Sequence, residues 1–273
     1  MIGAIVGDIT GSAFENNQTQ LKSYNLSTEQ LFSHLARPTD DSVLISATAQ
    51  AMLDESDDFA SYYRHFAQAH PNVGYGPGFM SWLNGDSKEY QSFGNGAAVR
   101  ASVLGYLQNE NDVLDLAKRS ALVSHRHEEG IAGAEAMAWI VWAVRRGISG
   151  SEISQELYHR WNYYVSDSPS HDLISLRKQS WFDCSAVNTV PLAIFIACFN
   201  SSNFEGAIRS AQFVGGDVDT IAAMSGIIRA QTLPIPFQWE QVSRRILWNK
   251  APLILQTLSQ FESVFEPDMN TVL

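Results

Sequence analysis

The apolar residues of this chain recur with the period of an α-helix, and the two-residue alternation of a half-buried β-strand is nearly absent. Small residues such as Ala47, Ala134 and Gly226 lie inside the periodic segments and allow helix axes to approach closely. The sequence therefore predicts an all-α fold. Seven segments carry the helical pattern: Val43 to Leu53, Val113 to Val123, Gly130 to Val144, Ile153 to Tyr164, Val190 to Phe199, Phe204 to Phe213 and Thr220 to Ala230.

Composition limits the size, location and partners of the protein. The 273 residues are 45% hydrophobic, and no repeat or charge block divides them, so we expect one compact domain over residues 1–273. A net charge of −11 has the wrong sign for holding a phosphate backbone, and nucleic acid is therefore not an expected partner. The chain has no basic leader, no apolar run of about 18 residues and only two cysteines, so we expect no membrane span and a cytoplasmic location.

A run of hydroxyl and carboxylate side chains, Thr39-Asp40-Asp41-Ser42, directly precedes the first strongly helical segment. Such groups accept hydrogen bonds from the free backbone N–H groups of a helix start, so an N-cap is one interpretation. A cap needs one such residue, however, and a second consecutive carboxylate adds repulsion that a positive charge should offset. Both a cap and a functional site remain open on this motif alone.

A second acidic run, Gly215-Gly216-Asp217-Val218-Asp219-Thr220, also precedes a helix rich in small residues. The paired glycines allow a tight turn and close approach of the backbone to a ligand. The two runs together supply only oxygen donors, which suit Mg²⁺, Mn²⁺ or Ca²⁺ rather than Zn²⁺. The sequence thus predicts a hard-cation site built from Thr39, Asp40, Asp41, Asp217, Asp219 and Thr220.

The first segment of the chain carries a polar stripe, because Asp8, Gly11, Ser12 and Glu15 recur at helical spacing. One interpretation is a solvated face. The other is that a carboxylate on this stripe meets the metal cluster and acts as a general acid or base.

Two further motifs contain groups that favour anion binding. Gly94-Asn95-Gly96 allows positive φ and leaves backbone N–H groups available to phosphate oxygens, and Arg100 follows in the same motif. His125 lies in a second motif, where donation to a phosphate or ribose oxygen competes with a helix-capping loop. Three irregular stretches are predicted to form site loops: Asn16 to Pro38, Pro71 to Asn95 and Asp167 to Ser185.

Five motifs occur in this chain in the order found in one protein family. They are Gly3 to Glu15, Thr39 to Asp41, Gly94 to Arg100, Ser124-His125 with Gly130 to Ala134, and Gly215 to Ala223. Together they resemble the ADP-ribosylglycohydrolases from about residue 3 to about residue 230. The chain departs from the family pattern at Pro38, Ser42 and Val218, but none of these positions is a proposed ligand.

The resemblance implies a single-domain orthogonal helical fold with a binuclear metal cleft, in which two Mg²⁺ ions, or Mn²⁺ in their place, lie below the distal ribose of an ADP-ribosyl group. The six oxygen donors named above match the family's metal ligands. The resemblance assigns catalysis to Glu15, Asp40 and Asp41, and leaves open which of them is the general base. It assigns substrate binding to Tyr75, Ser92, Phe93, Gly94, Asn95, Gly96 and His125.

Three functions are compatible with these residues. The first is Mg²⁺-dependent removal of ADP-ribose from a modified protein side chain, with arginine favoured by similarity to bacterial members, or from another ADP-ribose conjugate. The second is a non-catalytic ADP-ribose binder, or an immunity protein that blocks a cognate ADP-ribosyltransferase. The third is a metal-dependent phosphohydrolase, which the absence of a His-rich ligand set makes less attractive. The stretch from Leu233 to Leu273 is expected to serve packing or contact.

Overall fold

The computed structural model describes residues 1–14, 28–85, 91–165, 173–179 and 182–266. These residues contain helices and no β-strand, only two isolated bridges, and the all-α prediction is confirmed. None of the described helices is long and apolar enough to cross a membrane. The described α-helices are α1 (Ile2–Ser12), α2 (Thr28–Leu31), α3 (Asp40–Leu53), α4 (Phe59–Ala69), α5 (Pro77–Leu83), α6 (Gly96–Ala101), α7 (Glu110–Leu122), α8 (Glu128–Arg145), α9 (Gly150–Trp161), α10 (Leu173–Gln179), α11 (Ala186–Phe195), α12 (Phe204–Val214), α13 (Val218–Arg229), α14 (Phe237–Lys250) and α15 (Pro252–Phe265).

Each of the seven periodic segments lies in a helix, although the ends differ by a few residues. The segment predicted to end at Tyr164 ends at Trp161, because Asn162 adopts the left-handed conformation with φ 56°. The segment predicted from Val190 begins at Ala186 and continues as a π-helical turn over Ile196–Asn200. Short helices also lie inside two of the predicted loops, α2 in the first and α5 in the second.

Three packing centres position the functional side chains. Helix α8 is buried on nearly all sides between Gly133 and Ala143, and it packs against α6, α7 and α11. Helix α1 pairs along its length with α13. Helix α3 connects the helices around α8 to the pair formed by α1 and α13, since it contacts both α6 and α1. It also packs against α4 and α15. As a result, the N-termini of α3 and α13 come together.

The C-terminal stretch serves packing in part, as predicted. Trp239 of α14 and Phe261 of α15 are buried in the core. Trp248, on the same stretch, is 72% exposed and contributes little to it. Residues 267–273 lie outside the described part of the chain.

Candidate active site

Glycines on one face of α1 bring it into backbone contact with α13. A Cβ atom at Gly7 would lie less than 3.0 Å from backbone atoms of Ala222 and Ala223, and one at Gly11 would lie equally close to Asp219. Only glycine leaves room for this approach, because any side chain would overlap main-chain atoms. The packing fixes the first turn of α13, which carries Asp219, beside the C-terminal half of α1.

Asp8 connects α1 to the start of α3. Its carboxylate is fully buried and accepts hydrogen bonds from the backbone N–H of Thr39 (2.9 Å) and from the hydroxyl of Thr39 (2.6 Å). It also accepts from the backbone N–H of Ser42 at 3.2 Å and from the Ser42 hydroxyl. The interpretation of this stripe as a solvated face is wrong, because Gly11 and Ser12 are buried as well. Glu15, the remaining member of the stripe, lies outside the described residues.

The Thr39-Asp40-Asp41 run both caps a helix and contributes to a cleft. Thr39 is the N-cap of α3 and accepts a hydrogen bond from the Asp41 N–H at 3.3 Å. Its hydroxyl is directed to Asp8, and the residue is buried behind the cleft. Asp40 and Asp41 lie in the first turn and line the cleft itself.

The second acidic run turns sharply before α13, as its glycines predicted. Gly215 and Gly216 have φ values of 85° and 80°. After this turn, the Thr220 hydroxyl donates to Oδ2 of Asp41 at 2.7 Å, which joins the starts of α13 and α3 directly. Asp217 is held from a third side, because its Oδ2 accepts a hydrogen bond of 2.8 Å from Nδ2 of Asn95.

The two acidic runs meet at a cleft of about 290 Å³. Of the six predicted metal ligands, Asp40, Asp41, Asp217, Asp219 and Thr220 line it, and Thr39 does not. Its other lining residues are Leu44, Gly74, Gly76, Pro77, Phe79, Ser92, Gly94, Asn95, Gly96, Arg100, His125, Phe182 and Cys184.

Crowded carboxylates make this cleft electrostatically unfavourable without a bound cation. Burial raises the pKa of Asp41 well above its ordinary value, and the negative charges of Asp40, Asp8 and Asp217 raise it further. Burial also raises the pKa of Asp217, although the hydrogen bond from Asn95 opposes that shift. Both carboxyl groups would be stabilised in the ionised form by a positive charge in the cleft.

The chemistry of the cleft fits a hard divalent cation, since its donors are carboxylate and hydroxyl oxygens. Within the described ranges, however, no three acidic, histidine or cysteine side chains are grouped as a metal site by themselves. The Thr220 hydroxyl and Oδ2 of Asp41 are hydrogen-bonded to each other, which keeps both oxygens at the same side of the cleft.

His125 lines the cleft and is held in its orientation by two buried residues, Ser124 and Arg100. The Ser124 hydroxyl accepts a hydrogen bond from Nη1 of Arg100 (3.0 Å) and lies 2.9 Å from Nδ1 of His125. While it accepts from Arg100, the Ser124 hydroxyl can donate its own proton to Nδ1, and in that arrangement the imidazole proton is on Nε2. Burial and the charge of Arg100 hold the pKa of His125 well below its usual value, so the ring is neutral.

The Gly94-Asn95-Gly96 turn lines the cleft, but it does not use the positive φ that its glycines allow, and two of its backbone N–H groups are engaged within the protein. Gly94 and Gly96 are not among the glycines with positive φ, and Asn95 has φ −83°. The backbone N–H of Gly94 donates to the Ser92 hydroxyl (3.0 Å), and that of Asn95 donates to the carbonyl of Cys184 (2.8 Å). These two N–H groups hold the turn in place and are not directed to a ligand.

Among the other predicted substrate-binding residues, Ser92 lines the cleft, whereas Tyr75 and Phe93 lie beside it. Tyr75 stacks on Phe79 with ring centroids 5.3 Å apart, and its buried hydroxyl has no hydrogen-bond partner among the described residues. Burial and the charge of Asp40 raise the pKa of Tyr75. The ring of Phe93 is 52% exposed at the mouth of the cleft.

Sequence reasoning missed five side chains of the cleft: Leu44, Pro77, Phe79, Phe182 and Cys184. Leu44 belongs to α3, and the other four belong to stretches that were predicted to form site loops, Pro71 to Asn95 and Asp167 to Ser185. No periodic or compositional signal distinguishes these side chains from their neighbours. Cys184 is positioned by a contact between the two stretches, because its carbonyl accepts a hydrogen bond of 2.8 Å from the Asn95 N–H.

The chain is similar to known proteins both in sequence and in fold. A sequence profile of the ADP-ribosylglycohydrolase family matches residues 1–241. The chain is 26% identical to ADP-ribosylhydrolase ARH3 of Mus musculus, over 88% of this chain and 85% of that protein. The ARH3 of Homo sapiens is also 26% identical, over 88% of this chain and 87% of its own length.

A solved structure described as an ADP-ribosylglycohydrolase-related protein complex superposes with a TM-score of 0.62. The alignment covers 96% of both chains at 21% identity, and this likeness shows that the two share an all-α fold. The family profile covers most of the present chain and includes both acidic runs and the His125 segment. The chain therefore belongs to the ADP-ribosylglycohydrolases, a family of hydrolases of ADP-ribose linkages.

Proposed function

We propose that this protein removes ADP-ribose from a modified protein side chain by hydrolysis of the glycosidic bond, in a reaction that depends on Mg²⁺. Membership of a hydrolase family supports the reaction class. The observation that carries the proposal is the meeting of four aspartates, from the starts of α3 and α13, in one cleft of about 290 Å³. Arginine is the favoured acceptor because of the resemblance to bacterial members of the family.

Two Mg²⁺ ions, or Mn²⁺ in their place, form part of the proposal. When bound, they would neutralise the carboxylates and hold the hydroxyls of the distal ribose. Their ligands would come from both helix starts and from the N-cap of α3. The proposed ligands are Thr39, Asp40, Asp41, Asp217, Asp219 and Thr220.

The residues around this set would orient the substrate and manage protons. Nε2 of His125 would donate to a ribose or diphosphate oxygen, since its partner Nδ1 is occupied by Ser124. Asn95 keeps the Asp217 carboxylate directed into the cleft.

In the reaction, a water oxygen forms a bond to the anomeric carbon of the ribose, and the bond from that carbon to the acceptor atom breaks. The bonding electron pair leaves with the acceptor. A carboxylate takes the proton from the water and returns it to the acceptor, so that the side chain is restored. Asp40, Asp41 and Glu15 are the candidates for this carboxylate, and Glu15 is outside the described part of the chain.

Release of ADP-ribose from two substrates tests the proposal. The substrates are an ADP-ribosyl-arginine protein and an ADP-ribosyl-serine peptide, each incubated with Mg²⁺ and with EDTA. We expect Mg²⁺-dependent release, faster from arginine, and its loss in Asp219→Ala. Asp112→Asn, which neutralises an exposed carboxylate on α7, serves as the matched control and should react at the wild-type rate.

Each contrary outcome changes a defined part of the proposal. Release that persists in EDTA and in Asp219→Ala would refute the metal-dependent mechanism. Faster release from serine would refute the arginine preference alone. ADP-ribose binding without turnover of either substrate, together with inhibition of an ADP-ribosyltransferase, would favour a non-catalytic binding protein.

A further inference from the structure

A second concavity of about 630 Å³ lies on the surface near the cleft, between the start of α8 and the end of α9. We call it the acidic-aromatic groove. It is lined by Glu128, Glu129, Ala132, Tyr158, His159, Arg160, Trp161, Asn162, Tyr163 and Val187.

The groove adjoins the cleft along two stretches of chain. Glu128 follows His125 of the cleft by three residues, and Val187 follows Cys184 of the cleft by three residues. Three residues span at most about 11 Å, so both groove residues lie within that distance of the cleft wall. The groove is therefore within reach of the residues that flank a modified side chain bound in the cleft.

The charge in the groove is negative. Glu128 and Glu129 contribute two carboxylates, and Arg160 contributes one cation. Arg160 is already engaged, because its guanidinium forms ion pairs of 2.6 Å with both Glu110 and Glu156. The glutamates at the start of α8 are thus the charges presented to a ligand, and they would attract a cationic side chain.

Aromatic side chains also line the acidic-aromatic groove. Tyr158 is 51% exposed, and Trp161 is half-buried beside it. Aromatic faces next to carboxylates suit arginine and lysine side chains, which stack on the ring while the charge is neutralised.

The floor of the groove contains an unsatisfied polar atom. Tyr163 is only 4% exposed, and its hydroxyl has no hydrogen-bond partner among the described residues. Burial and the negative charge of Glu129 raise the pKa of Tyr163, so the hydroxyl lies near this groove carboxylate. Because the hydroxyl oxygen is itself buried, a cationic donor bound beside Glu129 would supply its missing partner only after a small movement of the groove lining.

An apolar ridge connects the groove to the cleft. Phe182 of the cleft is 57% exposed and Val187 of the groove is 39% exposed. Phe93 lies next to Val187 in the fold, because its carbonyl accepts a hydrogen bond of 3.0 Å from the Ala186 N–H, and its exposed ring packs against His127 with ring centroids 5.9 Å apart. Exposed apolar side chains grouped in this way are typical of a contact surface for a polypeptide.

We propose that the acidic-aromatic groove binds arginine or lysine side chains that flank the modified residue of the target polypeptide. This inference rests on the proposed hydrolysis of ADP-ribosylated protein and identifies its preferred targets as basic segments. The ridge of Phe93, Phe182 and Val187 contacts the backbone that runs from the cleft to the groove.

Three substrates separate recognition of the flanking residues from recognition of ADP-ribose. They are a peptide ADP-ribosylated on arginine with lysine and arginine on both sides, the same peptide with neutral serines there, and free ADP-ribosyl-arginine. The groove variant is the double substitution Glu128→Gln with Glu129→Gln. The control, Glu55→Gln with Asp112→Asn, removes the same number of exposed charges from positions outside the groove.

We expect the groove variant to raise KM for the basic peptide roughly fivefold, which corresponds to about 1 kcal/mol for the loss of both partly exposed carboxylates together. Values of kcat, and KM for the neutral peptide and for free ADP-ribosyl-arginine, should not change. Tyr158→Ala should raise KM for the same peptide alone. An unchanged KM for the basic peptide in both variants, with normal turnover of the free conjugate, would overturn the proposal.

Binding of the unmodified basic peptide keeps the groove testable even if the proposed reaction is wrong. Titration calorimetry of wild type and the groove variant needs no turnover. If no substrate is hydrolysed but the unmodified peptide binds wild type more tightly than the variant, the groove is supported and the proposed function fails. Equal or undetectable binding of the peptide to both proteins would refute the groove.

Discussion

Replacing Gly7 with alanine tests whether backbone contact between α1 and α13 holds the site together. Gly7 lies in the middle of α1, where alanine would gain about 1 kcal/mol of helix propensity over glycine. The added methyl would lie less than 3.0 Å from backbone atoms of Ala222 and Ala223, which no side-chain rotation can move away. Overpacking costs about 1–3 kcal/mol, and we take the upper value because main chain has to shift. The expected net loss in the free energy of unfolding is about 2 kcal/mol.

Equilibrium unfolding in urea measures this loss, and Gly76→Ala provides the control. Gly76 has φ −60° and no atom within 4 Å of the position of a Cβ, so alanine fits there. The control should be as stable as wild type or more stable by about 0.4–1 kcal/mol. If Gly7→Ala unfolds within about 0.5 kcal/mol of wild type while the control behaves as stated, the backbone contact inferred between the two helices is refuted.

Three further substitutions address single contacts, each measured by urea unfolding. Asp8→Asn should lower the free energy of unfolding by roughly 2–3 kcal/mol, because an amide places a donor where the carboxylate accepts from Thr39 and Ser42; wild-type stability would contradict this role. The pKa of His125 is lowered in the folded state, so below about pH 6.5 the unfolded chain takes up a proton at this residue that the folded protein does not, and the free energy of unfolding decreases as pH falls. His125→Gln should remove up to about 1.4 kcal/mol per pH unit of this decrease, and an unchanged pH dependence would show that other groups cause it. Tyr75→Phe keeps the stacking on Phe79 and removes a buried hydroxyl without a partner among the described residues, so it should raise the free energy of unfolding by up to about 1–3 kcal/mol; a loss of stability would show that the hydroxyl makes a stabilising contact.

The helical fold and both acidic helix starts could be predicted from local sequence. Thr39 and the Gly215-Gly216 pair carry short-range signals for a cap and a tight turn, and both are found in the structure. Helix α14 was not predicted, because its buried stripe contains only Trp239, Ser243 and Leu247, with a serine in the middle. A narrow, interrupted stripe gives little periodic signal even when tertiary packing stabilises the helix.

Long-range contacts account for what sequence reasoning could not decide. The polar stripe of α1 is compatible with solvent or core, and the start of α3 settles the question, because Asp8 is buried there and accepts hydrogen bonds from Thr39 and Ser42. The orientation of His125 depends on Ser124 and on Arg100, which is 25 residues away. No pattern within one helix reports such a contact, since it arises only when α6 packs against the end of α7.

The placement of the aspartates explains why we propose divalent cations at this site. A helix N-terminus carries about half a positive charge, so the facing starts of α3 and α13 supply about one unit against four carboxylates. With the guanidinium of Arg100, which also lines the cleft, about two negative charges remain without compensation among the described residues. Burial is the main cause of the raised pKa values of Asp41 and Asp217, and the charges of Asp40, Asp8 and Asp217 raise that of Asp41 further. Two divalent ions would supply four positive charges, which offset this deficit and keep the carboxylates ionised at neutral pH.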